Sequence, residues 1–237
     1  MIVAEKITFR IDGKKVRTEK GKSILEAAEE NGIYVPHLCA FHELHPTGAC
    51  RVCMVKVNGR FMASCTQPAT EDARVEIESD ELHQMRRMIV EMLFAEGNHF
   101  CPCCEKSGDC ELQALAYRFG IEKVRFPYQF PERSVDAEHP HFYVDHNRCI
   151  LCGRCVETAR ERHRGAAFEF IGRGKSKRVV VTENMDRESA EAAVEACPVG
   201  AILRKGTAFT VPVGKRRFDH KPIGSEIEST KPEVQSS

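Results

Sequence analysis

Twelve cysteines in 237 residues, falling into three sets, constrain this chain more than any other feature. Thiols at that density serve as disulfides, metal ligands or redox groups, and the compartment decides among them. Residues Met1 to Arg10 include Glu5, Lys6 and Arg10 and hold no apolar run, so no secretory leader is expected. The uncharged stretch Asn31 to His42 is too short and too polar to span a bilayer. The expectation is a cytoplasmic chain with no membrane span, where cysteines at this density read as metal ligands. Charge narrows the partners: 35 basic side chains balance 35 acidic ones, whereas nucleic-acid binders carry a basic excess that displaces phosphate counterions. With 42% hydrophobic residues the chain can bury an ordinary core.

The first third reads as a small mixed sheet. Ile7, Phe9 and Ile11 alternate with polar residues, Asp12-Gly13 supplies a tight turn, and Val16 begins a second strand. Ser23 and Glu26 form a capping box that opens a short helix, closed at Gly32. Strands at Val52 to Val57 and Arg60 to Cys65 flank Asn58-Gly59, a type I′ hairpin signal, and Arg74 to Glu78 offers one more. From Asp80 the period becomes helical, with Leu82, Met85, Ile89, Met92 and Leu93 expected on one core-facing stripe and Gly97 at the stop. Further helices are predicted from near Glu111 to Gly120 and from Arg187 to Ala196, where Cys197-Pro198 prevents continuation. Beyond Gly206 the pattern dissolves into Lys215-Arg216-Arg217, prolines and a Ser-rich end, an extended or flexible tail or an arm that wraps a partner.

The first cysteine set is Cys39, Cys50, Cys53 and Cys65, with ten, two and eleven residues between successive members. Four thiolates converging from the loops of a small sheet can hold a [2Fe–2S] cluster or a zinc ion. The last set is Cys149, Cys152, Cys155 and Cys197. Its first three members are two residues apart, and a Cys-Pro arrives after a gap of 41. That spacing suits a [4Fe–4S] cube, because zinc ribbons use separate Cys-x-x-Cys pairs. Between them, Cys101, Cys104 and Cys110 leave a second cube one ligand short, and His99 lies just ahead of them. A neutral imidazole in place of a thiolate makes a cluster less negative and easier to reduce. The rival assignment gives the fourth position to Cys103. With His99 the count closes at three sites of four ligands, and much of the folding energy is expected to come with the clusters.

The sheet, capped helix, sheet order and the run Thr47-Gly-Ala-Cys-Arg-Val-Cys53 resemble the β-grasp [2Fe–2S] ferredoxins. Taken with Gly97-Asn-His-Phe-Cys-Pro-Cys-Cys-Glu-Lys-Ser-Gly-Asp-Cys-Glu-Leu-Gln113 and Cys149-Ile-Leu-Cys-Gly-Arg-Cys155, the whole resembles the N-terminal part of the large iron–sulfur subunit of respiratory complex I and the electron-input region of iron-only hydrogenases. No large molybdopterin-type or hydrogen-activating domain follows, and this short form looks most like the small diaphorase subunit of soluble NAD-reducing [NiFe] hydrogenases. The resemblance runs from about Ile7 to Arg204. It implies an α+β chain with a β-grasp [2Fe–2S] domain over residues 1–79, a helical segment with a His/Cys-ligated [4Fe–4S] cluster over 80–140, a ferredoxin-like [4Fe–4S] domain over 141–205, and the tail over 206–237.

The implied role is a relay of electrons between a flavin- and NAD-binding diaphorase subunit and the small and large subunits of a [NiFe] hydrogenase. The residues agree with a chain that has no catalytic centre of its own. There is no Gly-x-Gly-x-x-Gly fingerprint and no Walker-type loop, and full protein ligation at three clusters leaves no coordination position for a substrate. An equivalent relay in an NAD-dependent formate dehydrogenase or a complex-I-like assembly is the alternative, and a zinc-bearing interaction protein is the alternative of another class. The basic residues Arg160, Arg162, Arg164, Arg173, Lys175, Lys177 and Arg178 read as a solvated face or as a rim that docks an acidic subunit.

Overall fold

The computed structural model describes residues 5–41, 44–162, 167–183 and 185–229. Strand β1 (Lys6–Ile11) pairs antiparallel with β2 (Lys14–Glu19). Ile7, Phe9 and Ile11 face inward, as their alternation requires. Asp12 (φ 45°) and Gly13 (φ 79°) both take the positive φ of a type I′ turn. Helix α1 (Ile24–Glu30) starts at the Ser23/Glu26 capping box, and Gly32 beyond its end has φ 69°. The second hairpin, β3 (Met54–Val57) and β4 (Arg60–Ala63), turns at Asn58 (φ 49°) and Gly59 (φ 82°), again both positive. With β5 (Arg74–Glu76) the five strands lie in the order β2-β1-β5-β3-β4, and β1 runs parallel to β5. This is the β-grasp arrangement, and its core combines Phe9, Ile11, Val55 and Val75 with Ile24 and Ala28 of α1.

Helix α2 (Asp80–Glu96) is capped by Ser79 and ends at Gly97. Its buried side differs from the expected stripe. Leu82 is buried, but so are Arg86, Val90, Glu91 and Ala95, while Met92 is exposed and Met85 only partly covered. The physical reason is that two buried charges have partners on neighbouring segments. Arg86 donates to the carbonyls of Ile77 and Met54, each at 2.8 Å, tying the helix to the β-grasp sheet. Glu91, fully buried, accepts from Arg87 and Arg125. Burial alone pushes its carboxyl up, and the two guanidinium groups outweigh that effect and hold it below its ordinary range. Helix α3 (Glu111–Arg118) follows and is terminated ahead of Gly120 (φ 61°).

The third part contains a three-stranded sheet of β6 (Val135–Asp136), β7 (Phe142–Asp145) and β10 (Ile202–Arg204), in the order β10-β7-β6. It also holds α4 (Arg154–Arg162), the hairpin β8 (Phe168–Ile171) and β9 (Arg178–Val181), and α5 (Arg187–Ala196). Helix α4 begins inside the last cysteine run, a start that the sequence reading did not anticipate. One buried core joins Leu38 and Val52 of the first part to Leu112 and Leu115 of α3, Phe142, Phe168 and Val194 of the third, and Ile223 of the tail. The described part of the tail runs through a series of turns and bends and is docked against the middle segment. Arg216 donates to the Ser107 carbonyl, the Arg217 amide to Asp109, and the Phe218 amide to the Gly108 carbonyl. A last turn, α6 (Ser225–Glu228), places Glu228 on Arg118. Of the basic run, Arg160, Arg173, Lys175, Lys177 and Arg178 are exposed, whereas Arg164 lies outside the described residues. Among the described residues no helix is long and apolar enough to cross a membrane.

Candidate metal centres

The first set converges beside the β-grasp sheet. Cys39 comes from the loop after α1, Cys50 and Cys53 from the approach to β3, and Cys65 from just beyond β4. Arg51, between the two central cysteines, has φ 59°, which turns the chain within the Cys50–Cys53 loop. The Cys53 and Cys65 sulfurs are 3.4 Å apart, and the Cys39 thiol interacts with those of Cys50 and Cys65. Such contact divides the protons unevenly. The interaction with Cys65 brings Cys53 down to about 7. Cys39 is held well below the ordinary thiol range by Cys50 and Cys65, both of which are pushed up. Buried thiols in mutual contact become four thiolates only when metal charge replaces the shared protons.

The middle set lines one pocket, in which His99, Cys101, Cys104 and Cys110 stand together with Phe94, Arg148 and Gly200. Cys103, in the same short 3-10 turn as Cys101, is exposed and does not line it. The His99 Nε2 is buried without a hydrogen-bond partner among the described residues, and the ring packs edge-on against Phe94 of α2. Burial lowers the imidazole to about 4, so at neutral pH the ring is uncharged, the form that ligates metal. Cys110 is the N-cap residue of α3, and burial raises its thiol to about 12. The fit of the imidazole depends on Gly97. A Cβ built there lies 2.3 Å from His99 Nε2 and 3.0 Å from the Asn147 carbonyl oxygen. Gly97→Ala is therefore expected to displace the ring and to alter one [4Fe–4S] paramagnetic resonance signal while leaving the other centres unchanged; an unaltered spectrum would show that His99 is not a ligand.

The third set lines one pocket, in which Cys149, Cys152, Cys155 and Cys197 are otherwise surrounded by apolar groups such as Val144, Val179 and Ile202. Leu151 (φ 53°) and Gly153 (φ 84°) curl the ligand loop. Burial raises Cys149 to about 11 and Cys152 to about 12, and pushes Cys155 well above the ordinary thiol range. A dry pocket of that kind admits thiolates together with a compensating metal charge. Among the described residues no group of three or more His, Cys, Asp or Glu side chains is arranged around a single metal ion. Three thiols two residues apart on one loop with a distant fourth, all lining one pocket, suit a polynuclear cluster better than one zinc ion.

Three residues that the sequence reading passed over join the middle and third sites. The Glu111 amide donates to the Pro198 carbonyl, linking the residue after Cys110 to the residue after Cys197. Arg154, between Cys152 and Cys155, forms a two-pronged ion pair with Glu111 at 3.0 and 2.7 Å. Gly200 backs onto the middle site, where a Cβ would lie 2.6 Å from Cys104 Sγ. The available signal was positional: each is a charged residue or a glycine within three residues of a cysteine ligand.

Comparison with known proteins agrees with this geometry. The family described as a 2Fe-2S iron-sulfur cluster binding domain matches residues 4–80. The NADH-ubiquinone oxidoreductase-G iron-sulfur binding region matches 86–125, and the ferredoxin-like domain of NADH-quinone oxidoreductase subunit 3 matches 140–203. The chain accordingly carries one [2Fe–2S] and two [4Fe–4S] clusters. It is 32% identical over 209 residues to the mitochondrial NADH-ubiquinone oxidoreductase 78 kDa subunit of Candida albicans, covering 86% of this chain but only 29% of that one. It superposes, with a TM-score of 0.85 and 46% identity over 91% of its length and 94% of the other chain, on a chain in the crystal structure of an NAD+-reducing [NiFe]-hydrogenase in the H2-reduced state. The NAD-reducing hydrogenase HoxS subunit gamma of Cupriavidus necator is 43% identical over 222 residues, which is 92% of this chain and 95% of that protein. With agreement along nearly the whole length of both sequences, the chain belongs to the family of NAD-reducing hydrogenase gamma subunits.

Proposed function

We propose that this chain relays electrons through three iron–sulfur clusters between a flavin- and NAD-binding diaphorase subunit and a [NiFe] hydrogenase module, as part of a cytoplasmic hetero-oligomer that couples H2 oxidation to NAD+ reduction, reversibly. The ligands assigned are Cys39, Cys50, Cys53 and Cys65 for the [2Fe–2S] cluster; His99, Cys101, Cys104 and Cys110 for one [4Fe–4S] cluster; and Cys149, Cys152, Cys155 and Cys197 for the other. The three cluster-bearing parts are assigned to residues 1–79, 80–140 and 141–205. The observation that carries the reading is that two pockets are each lined by four residues proposed as one ligand set, with Cys53 and Cys65 of the remaining set in contact, all within one connected body.

When bound, the clusters supply one-electron redox chemistry; the chain holds them, orders them and keeps water from them. Apolar linings and backbone N–H···S bonds are the means by which it adjusts their potentials. Isolation with native partners is the test. The complex is expected to be brown, to contain iron and acid-labile sulfide, and to reduce NAD+ with H2. A metal-complete complex that reduces NAD+ with formate and not with H2 would replace the hydrogenase module with a formate dehydrogenase, and a colourless protein containing zinc would overturn the cluster assignment.

A further inference from the structure

Arg154 is a buried cation, 2% exposed, in the middle of the third ligand loop. Isolated buried charges are costly, and this one is held by a specific set of contacts. Both terminal nitrogens engage the Glu111 carboxylate, and Nη1 also lies 3.5 Å from the Ala196 carbonyl, next to Cys197. The Phe41 ring packs against the guanidinium at 5.1 Å. Its Nε is buried and has no partner among the described residues. Arg154 directly precedes Cys155 and follows Cys152 by two residues, and the Ala196 carbonyl that it reaches directly precedes Cys197. Other ionisable groups acting on Glu111 include His37, whose imidazole is pushed down by burial, and Arg217.

We propose that Arg154, oriented by Glu111, is the positioning residue that raises the reduction potential of the third centre, its buried positive charge stabilising the additional electron held there. The carboxylate fixes the guanidinium beside the ligand loop and partly offsets its field, so the two side chains act on the potential with opposite signs. A cation in a low-dielectric pocket interacts with a nearby charge far more strongly than it does in water. Because Glu111 follows Cys110 directly, the same pair anchors the middle ligand loop to the third. The proposal rests on the ligand assignment above, which iron and sulfide content tests separately.

The experiment is a redox titration of the intact, cluster-loaded complex, following each [4Fe–4S] centre by paramagnetic resonance. Arg154→Gln is expected to lower the potential of the third centre, and Glu111→Gln to raise it. Each shift should correspond to at least a tenfold change in the reduced-to-oxidised ratio at fixed potential, about 59 mV for a one-electron couple, with a smaller shift at the middle centre. Arg154→Lys, which keeps the charge, should stay near the wild-type value. A purely structural role predicts shifts of the same sign for Arg154→Gln and Glu111→Gln, and that result overturns the proposal. Should Arg154→Gln fail to assemble, the isosteric Glu111→Gln decides alone: a third-centre potential that is unchanged or lowered in a protein with full iron content overturns it.

Discussion

Replacing His99 by Ala is expected to remove or transform one [4Fe–4S] signal and to lower iron content by up to one cluster's worth, with the [2Fe–2S] centre and the other cube intact. Cys103→Ala should leave all three signals in place. The reasons are that His99 lines the middle pocket and Cys103 does not, that the Nε2 is buried without a partner among the described residues, and that Cys103 is exposed. His99→Cys separates ligation from packing. A fourth thiolate should retain the cube and lower its potential, because an anionic ligand replaces a neutral one. Loss of the signal in Cys103→Ala with a normal spectrum in His99→Ala would reverse the assignment.

The second large effect concerns Arg86, 3% exposed, which bridges α2 to the ends of β3 and β5. Arg86→Ala removes the donor to two carbonyls, those of Met54 and Ile77. Each buried polar group left unpaired costs about 1–3 kcal/mol, and lost packing adds to this, so a total of roughly 3–5 kcal/mol is expected. For a chain of about this size, each kcal/mol lowers the melting temperature by about 2–4 °C, giving a drop of about 6–20 °C in the thermal melt of the cluster-loaded protein. Arg86→Lys, reaching only one carbonyl, should fall between. A melt within about 2 °C of wild type for Arg86→Ala would show that the bridge does not hold the β-grasp domain to the helix.

The elements most legible in the sequence are those whose signals are local. Asp12-Gly13 and Asn58-Gly59 specify their turns because few residue pairs accept two successive positive φ values, and Ser23 with Glu26 specifies a helix start through hydrogen bonds closed within four residues. The stripe on α2 was less legible. Periodicity ranks residues by hydrophobicity, so it placed Met92 inward and could not place Arg86 or Glu91, whose burial depends on carbonyls and guanidinium groups from distant segments. The sequence pattern reads the tail as extended or flexible, or as an arm that wraps a partner, whereas its described part is a run of turns whose apolar anchor, Ile223, becomes visible only against Tyr34 and α3.

The cysteine spacing by itself divided the thiols into three sets, because ligands two residues apart on one loop reach a common centre whatever surrounds them. Tertiary structure decided what spacing leaves open. It turned His99 into the middle site and Cys103 out to solvent, since Gly97 and Phe94 admit the ring from the end of α2. It also brought Arg154 onto Glu111 across 43 positions, binding two ligand sets together. A local sequence pattern carries no information about which charge a buried guanidinium will meet; the packing of α3 against the third ligand loop supplies it.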